Sequence, residues 1–168
     1  QPTSGHYFLY RPVTLPEKLT CIVFLHGYGG NFQFYTWVLK EEFPDAVILT
    51  PSWGISWDRG STTYLRDMLA DAERRTGVPL RNPWLMGISA GGRGGFPIYN
   101  QMSDLFQGYV CIANAPETSV ARSLRTDLRI LMLNGTDDDM VPLSIARQQV
   151  QLAKRRVPTL RYQEIEGN

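Results

Sequence analysis

The sequence has little of what builds metal, redox or disulfide sites. Among 168 residues there are two cysteines and two histidines. They are scattered as His6, Cys21, His26 and Cys111, a spacing that excludes a zinc site built on Cys and His. Each cysteine lies in an apolar run, "TCIVFL" or "YVCIANA", the setting of a buried thiol that packs as a small hydrophobe. Charge of one sign is also missing. Lys and Arg number 17 against 16 Asp and Glu, for a net charge of +1, with no basic or acidic block. That balance gives no electrostatic footprint for nucleic acid or a charged membrane surface. Long apolar runs are absent too: the longest reach about five residues, far short of the roughly 20 a spanning helix needs. Nothing in the chain points to one compartment over another.

What is there reads as a globular domain. Apolar residues make up 43% and charged residues 20%, and residues 1–168 suffice for one domain with a buried core. Short apolar runs recur with turn signals between them: "YFLY" from Tyr7, "CIVFL" from Cys21, "AVILT" from Ala46, "WLMGI" from Trp84, "YVCIA" from Tyr109, "ILMLN" from Ile130 and "LRYQEI" from Leu160. Runs this apolar suit strands covered on both faces. Between Ser61 and Thr76, residues Leu65, Met68, Leu69 and Ala72 make one helical stripe, and Gly77 and Pro79 end it. A second helix is expected from near Pro142 to about Arg156, with Lys154, Arg155 and Arg156 at its negative end. Strands alternating with helices predict an α/β layer fold with a mostly parallel sheet. "YFLY" reaches the Cys21 run through a short turn and is expected antiparallel to the rest.

Chemistry concentrates in "WLMGISAGGRGGF". Gly87, Ser89 and Gly91 give G-x-S-x-G between a buried strand and a helix. A serine on so sharp a turn is held up at the carboxyl edge of the sheet, and small residues on either side let the turn close. A phosphate loop fails on detail, because no Lys-Ser/Thr follows the glycines and the G-x-G-x-x-G spacing breaks at Pro97. A Gly-rich turn whose serine merely caps a helix is the competing structural explanation. Two other stretches favour chemistry. In "FLHGYGGNF" a glycine-rich loop can aim one N–H, that of Tyr28, at a developing oxyanion; the N–H of Ala90, beside the serine, supplies the second. His26 is expected to shape this loop. In "LNGTDDDMVP" a carboxylate at a strand end can orient a histidine, and Asp137, Asp138 and Asp139 compete for that role.

Taken in order, strand-HG-x-G, G-x-S-x-G and G-x-x-D-x-x-V-P resemble the α/β-hydrolase superfamily. The likeness is nearest to small lidless esterases of the dienelactone hydrolase, phospholipase/carboxylesterase and polyhydroxyalkanoate-depolymerase-like groups, and it extends from about Tyr7 to Asn168. The resemblance implies an α/β-hydrolase fold with helices on both faces of the sheet, a nucleophile at Ser89, oxyanion donors at Tyr28 and Ala90, and an acid at Asp138. It implies no cofactor and no metal. It also implies a base: a histidine in the loop after the last strand. That strand is "LRYQEI", and Asn168 follows it closely. The chain begins at Gln1 rather than Met, so it is expected to be truncated, the missing piece carrying that histidine and a last helix. By the superfamily's strand order, His6 lies three strands from Ser89, roughly 14 Å away, and is not the base. The same order separates Cys21 and Cys111 by two strands, too far to bridge.

The substrate expected is a small ester. "NAPETSVARSLRTD" has no room for a lid. Trp53 and Trp57, in "PSWGISWDRG", are candidates to line an acyl or aryl pocket, or else pack that loop down. Arg93 is expected as a salt-bridge residue in the first turn of the helix after Ser89. The reading is thus a serine esterase, with a thioesterase or peptidase of the same fold, or a non-catalytic binding module, as alternatives. The oligomeric state is left open.

Overall fold

The seven apolar runs become the strands of one sheet. A computed structural model describes residues 6–30, 32–52 and 61–167. In chain order the elements are β1 (Tyr7–Tyr10), β2 (Thr20–Leu25), α1 (Phe32–Glu42), β3 (Ala46–Pro51), α2 (Ser61–Thr76), β4 (Trp84–Ile88), α3 (Ala90–Gln101), β5 (Gly108–Ile112), α4 (Thr118–Ser123), β6 (Ile130–Gly135), α5 (Leu143–Lys154) and β7 (Arg161–Ile165). The sheet order is β1-β3-β2-β4-β5-β6-β7. Only β1 is antiparallel, pairing Tyr7 with Pro51 and Tyr10 with Ile48; the other neighbours run parallel. β4 is therefore a central strand, and the carboxyl ends of β2 to β7 share one edge.

Among the described residues the two faces are covered unequally. On one face, α2, α3, α4 and α5 bury Leu65, Phe96, Ala121 and Val150 against Val23, Leu85, Tyr109 and Met132 in a single core. On the other, α1 seals a smaller core of Ile22, Phe24, Leu39, Ala46 and Ile48. Beyond α1 the apolar side chains of Trp84, Met86, Val110 and Leu131 are half-exposed. With Ile22 they line a groove of about 670 Å³ that runs past the first residues of β4, β6 and β7. The expectation of double coverage thus holds for β2 and β3 and fails toward β7, where exposed and half-buried residues alternate along the strand.

α2 occupies the residues its stripe predicts, and α5 is one residue later and shorter than expected, with Pro142 at its N-cap. α1 is a helix that its composition disguises: Phe, Tyr, Thr, Trp and Val crowd its first half, and those residues favour strands. Its placement is settled by burial of Thr36 and Leu39 against the sheet. Cys21 and Cys111 are both buried and unbonded, on β2 and β5, the strands flanking β4. Among the described residues no helix is long and apolar enough to cross a membrane.

Candidate functional site

The turn from β4 into α3 carries, among the described residues, the one serine at a positive φ. Ser89 has φ 52° and ψ −117°, a conformation that costs a non-glycine residue roughly 1–3 kcal/mol and persists only when its surroundings impose it. Here they do. The Ser89 N–H donates to the Ile112 carbonyl at 2.9 Å, and the Ser89 carbonyl accepts from the Arg93 N–H at 2.9 Å. The same carbonyl accepts from Asn114 Nδ2 at 2.8 Å. The flanking glycines are steric necessities. A Cβ on Gly87 would sit 2.5 Å from the Gly91 carbonyl oxygen, and one on Gly91 would sit 2.5 Å from that of His26. The Ser89 side chain makes no capping bond to α3, and the residue is exposed. A helix-capping role therefore does not account for it.

The loop after β2 closes over this serine. Gly30 N–H bonds the Gly27 carbonyl at 3.0 Å, and Gly29 supplies the positive φ of 65° that the turn requires. His26 is fully buried, and its Nδ1 donates to the Gly27 carbonyl at 2.7 Å, so it shapes the loop as expected. A Cβ on Gly27 would lie 3.8 Å from Ser89 Oγ and 3.2 Å from its Cβ, so the glycine lets this loop run close beside the serine. Tyr28 is the next residue, its side chain 87% exposed. Ala90 opens α3, where the first N–H groups of a helix have no partner within it.

The third stretch leaves β6 on the same edge, two strands from β4. Of its three aspartates Asp138 is half-buried, while Asp137 and Asp139 are exposed. Asp138 Oδ1 accepts from the N–H groups of Met140 and Val141, both at 2.8 Å. Asp137 instead accepts from the Thr136 hydroxyl at 3.2 Å. The exit of β7 is tied to this loop. Asp137 N–H donates to the Gly167 carbonyl at 3.0 Å, and Gly167 N–H donates to Thr136 Oγ1 at 3.0 Å.

His6 lies at the far flank, where its carbonyl accepts from the Ser52 N–H at 2.7 Å and from the Tyr64 hydroxyl. Trp53 and Trp57 fall outside the described residues. Arg93 pairs with Glu117 at 3.8 Å with both side chains exposed, which accounts for it without a substrate. Cys111 lies under the turn, its Sγ 3.2 Å from where a Cβ on Gly92 would be. Burial pushes its thiol up to about 12, so it is no rival nucleophile. Among the described residues no three His, Cys, Asp or Glu side chains are grouped to hold a metal ion. Asn114 is the residue that sequence reasoning missed: an Asn after a strand ordinarily reads as a turn former, and only its place next to the serine's strand hinted at more.

No protein-family model matches the sequence, and no curated protein matches it. Solved structures do match in fold. A thermostable esterase aligns with a TM-score of 0.71 at 19% identity, over 96% of this chain and 51% of its own. The chain thus spans about half the length of that esterase. A phospholipase/carboxylesterase from Dyadobacter fermentans aligns with a TM-score of 0.67 at 16% identity, over 98% of this chain and 87% of its own. Poly(aspartic acid) hydrolase-1 from Sphingomonas sp. KT-1 aligns with a TM-score of 0.76 at 13% identity, over 98% and 87% respectively. The mostly parallel seven-stranded sheet, its strand order and these likenesses define an α/β-hydrolase fold.

Proposed function

We propose that the protein is a serine hydrolase that cleaves carboxylic esters through an acyl-enzyme. Fold alone does not carry this reading. It is carried by the strained turn that presents an uncapped Ser89 hydroxyl to the backbone of the Gly27 loop. Ser89 Oγ attacks the ester carbonyl, and the negative charge that develops on its oxygen is held by the N–H groups of Tyr28 and Ala90. The turn at Ser89 is then a nucleophile elbow, and the two N–H groups form its oxyanion hole. A histidine takes the Ser89 proton and returns it to the leaving alcohol; water then releases the acid by the same steps in reverse. Asp138, its Oδ1 held by two backbone N–H groups, orients that histidine through Oδ2. The bonds between Gly167 and the Thr136–Asp137 turn favour a histidine from the segment that follows β7.

The test uses the full chain as its gene encodes it, treated with a fluorophosphonate and weighed intact. One adduct is expected, on Ser89, and none in Ser89→Ala. Turnover of short-chain nitrophenyl esters should fall on the order of 10⁶-fold in Ser89→Ala and about 10⁴-fold in Asp138→Asn. Labelling at another residue, or turnover that survives Ser89→Ala, sinks the proposal. A matched panel of esters, thioesters and amides then separates an esterase from a thioesterase or a peptidase.

A further inference from the structure

We propose that Asn114 is a positioning residue that sets the direction and strength of the Ala90 N–H as an oxyanion donor. The inference rests on the reading of Ser89 and Ala90 given above. A trans peptide is planar, so its C=O and N–H point in opposite directions. The Ser89 carbonyl and the Ala90 N–H belong to one such peptide. Whatever grips the carbonyl on the protein side aims the N–H on the other side, and Asn114 Nδ2 grips it at 2.8 Å.

The grip is built rather than incidental. Asn114 Oδ1 accepts from the Ala115 N–H at 2.7 Å; only an oxygen can do that, so the amide nitrogen faces Ser89. The Asn114 carbonyl accepts from the Cys111 thiol at 3.4 Å. Just before it, Ala113 is held at a positive φ of 52°, with its N–H bonded to the Leu133 carbonyl at 2.8 Å. The loop after β5 thus spends backbone strain to deliver one side chain to the peptide beside the serine. The carbonyl it reaches already accepts from the Arg93 N–H at 2.9 Å. Two donors on one carbonyl polarise the peptide, and a polarised peptide has a more acidic N–H; linked hydrogen bonds strengthen one another in this way. Asn114 touches no substrate atom in this arrangement. It acts through Ala90.

The test compares Asn114→Ala and Asn114→Asp in the full gene-encoded chain. Turnover is normalised to the fraction of Ser89 that a fluorophosphonate titrates, so misfolded protein does not count. Asn114→Asp keeps the acceptor for Ala115 but replaces the donor by a negative charge facing the Ser89 carbonyl, so Asn114→Ala is the variant that removes the donor without adding charge. Both variants should lose roughly 10- to 100-fold in kcat per titrated serine, with KM within twofold of the parent. The inhibition constant of a trifluoromethyl ketone, which adds serine to form an oxyanion, should rise in step with the loss in kcat/KM. A clamp that only stabilises the loop would lower the melting temperature and the titratable fraction and leave turnover per serine unchanged; that result overturns the proposal. If Asn114→Ala does not fold, unchanged turnover in Asn114→Asp overturns the proposal, and a loss there is decided by the Ala90 amide proton of the unsubstituted chain. If neither folds, the Ala90 amide proton decides in the unsubstituted chain: base-catalysed exchange faster than at an ordinary exposed helix N-terminus supports the proposal, and an ordinary rate overturns it. Full Ser89-dependent activity in the variants refutes this role alone, whereas turnover that ignores Ser89→Ala refutes the parent reading.

Discussion

The two edges of the sheet make opposite use of their space. The amino edge holds a groove of about 670 Å³ lined by Ile22, Trp84, Met86, Val110 and Leu131. It is roomy and apolar, and the positive φ beside it among the described residues, 48° at Asn82, lies in the turn before β4 and not on a lining residue. The carboxyl edge concentrates strain around one serine: positive φ at Ser89 and Ala113, glycines that admit no Cβ, and a serine carbonyl gripped from two sides. On the proposed reading, volume alone would send a search for chemistry to the wrong edge. A groove left by incomplete coverage of an apolar sheet face requires no special backbone. A serine held off the helix it precedes does, because its geometry must be imposed against the chain's own preference.

The sharpest way to break this contrast is to add a methyl group where the strained edge has no room for one. Gly91 packs directly on the carbonyls of Leu25 and His26, and both are backbone, so neither can rotate aside. Gly91→Ala should destabilise the fold by about 3–5 kcal/mol, at the upper end for a single substitution. Whatever remains folded should lose ester turnover, because α3 can only move by tilting the turn at Ser89. Urea melts with kinetics on the residual folded fraction read both effects. A stable, active Gly91→Ala would mean the approach of α3 to β2 is looser than described.

Much of this edge was legible in the sequence because its requirements are local. The G-x-S-x-G turn, the glycines of the Gly27 loop and the stripe of α2 each depend on residues close together in the chain. The residues alone left three candidates for the proposed acid, and the resemblance narrowed them to Asp138; its half-burial and two backbone bonds set it apart from Asp137 and Asp139. Asn114 was illegible because its meaning is non-local: it bonds Ser89, 25 positions away, and in sequence it is an ordinary turn residue before Ala115 and Pro116. α1 was hidden by strand-favouring aromatics that turn out to sit on a helix surface, with Phe34 and Trp37 exposed. Uneven coverage of the faces could not be read either, since an apolar run looks the same whether one face or both are buried.

The groove offers a weaker test from the other side of the comparison. Val110 and Leu131 line it and are half-exposed. Replacing both with Ser should cost about 1 kcal/mol each, since partial burial returns only part of a full side-chain transfer. Binding of an environment-sensitive apolar dye should fall, because the patch it reads is smaller. Ester turnover should stay within twofold. A tenfold loss of kcat with the fold intact would join the two edges functionally and erase the contrast.

The smallest effect is expected at a polar cluster remote from Ser89. The Tyr7 hydroxyl donates to Asp71 Oδ2 at 2.6 Å, and Arg75 Nε donates to the same oxygen at 2.6 Å; Arg74 donates to Oδ1 at 3.0 Å. The Tyr7 bond, then Arg75, draws the Asp71 carboxyl down from 3.8 to about 2. Burial, then the Asp71 bond, pushes the Tyr7 hydroxyl up from 10.0 to about 12. The signs follow from which form the fold prefers. Folding favours ionised Asp71, so that contribution is complete above its unfolded value near 3.8 and is lost as pH falls through about 2. Folding favours protonated Tyr7, so that contribution is complete below its unfolded value near 10.0 and is lost as pH rises through about 12. Between those limits both are present in full. Asp71→Asn should therefore lower the melting temperature by about 2–4 °C at neutral pH, a modest shift for a domain of this size. The gap to the parent should close as pH falls from about 4 toward 2. Melting curves across that range, run beside ester kinetics at neutral pH, test both halves. A gap that does not close toward pH 2 would mean the carboxylate's charge is not what the cluster uses. A change in kcat would mean that strain at the carboxyl edge is propped from a flank the geometry keeps apart from it.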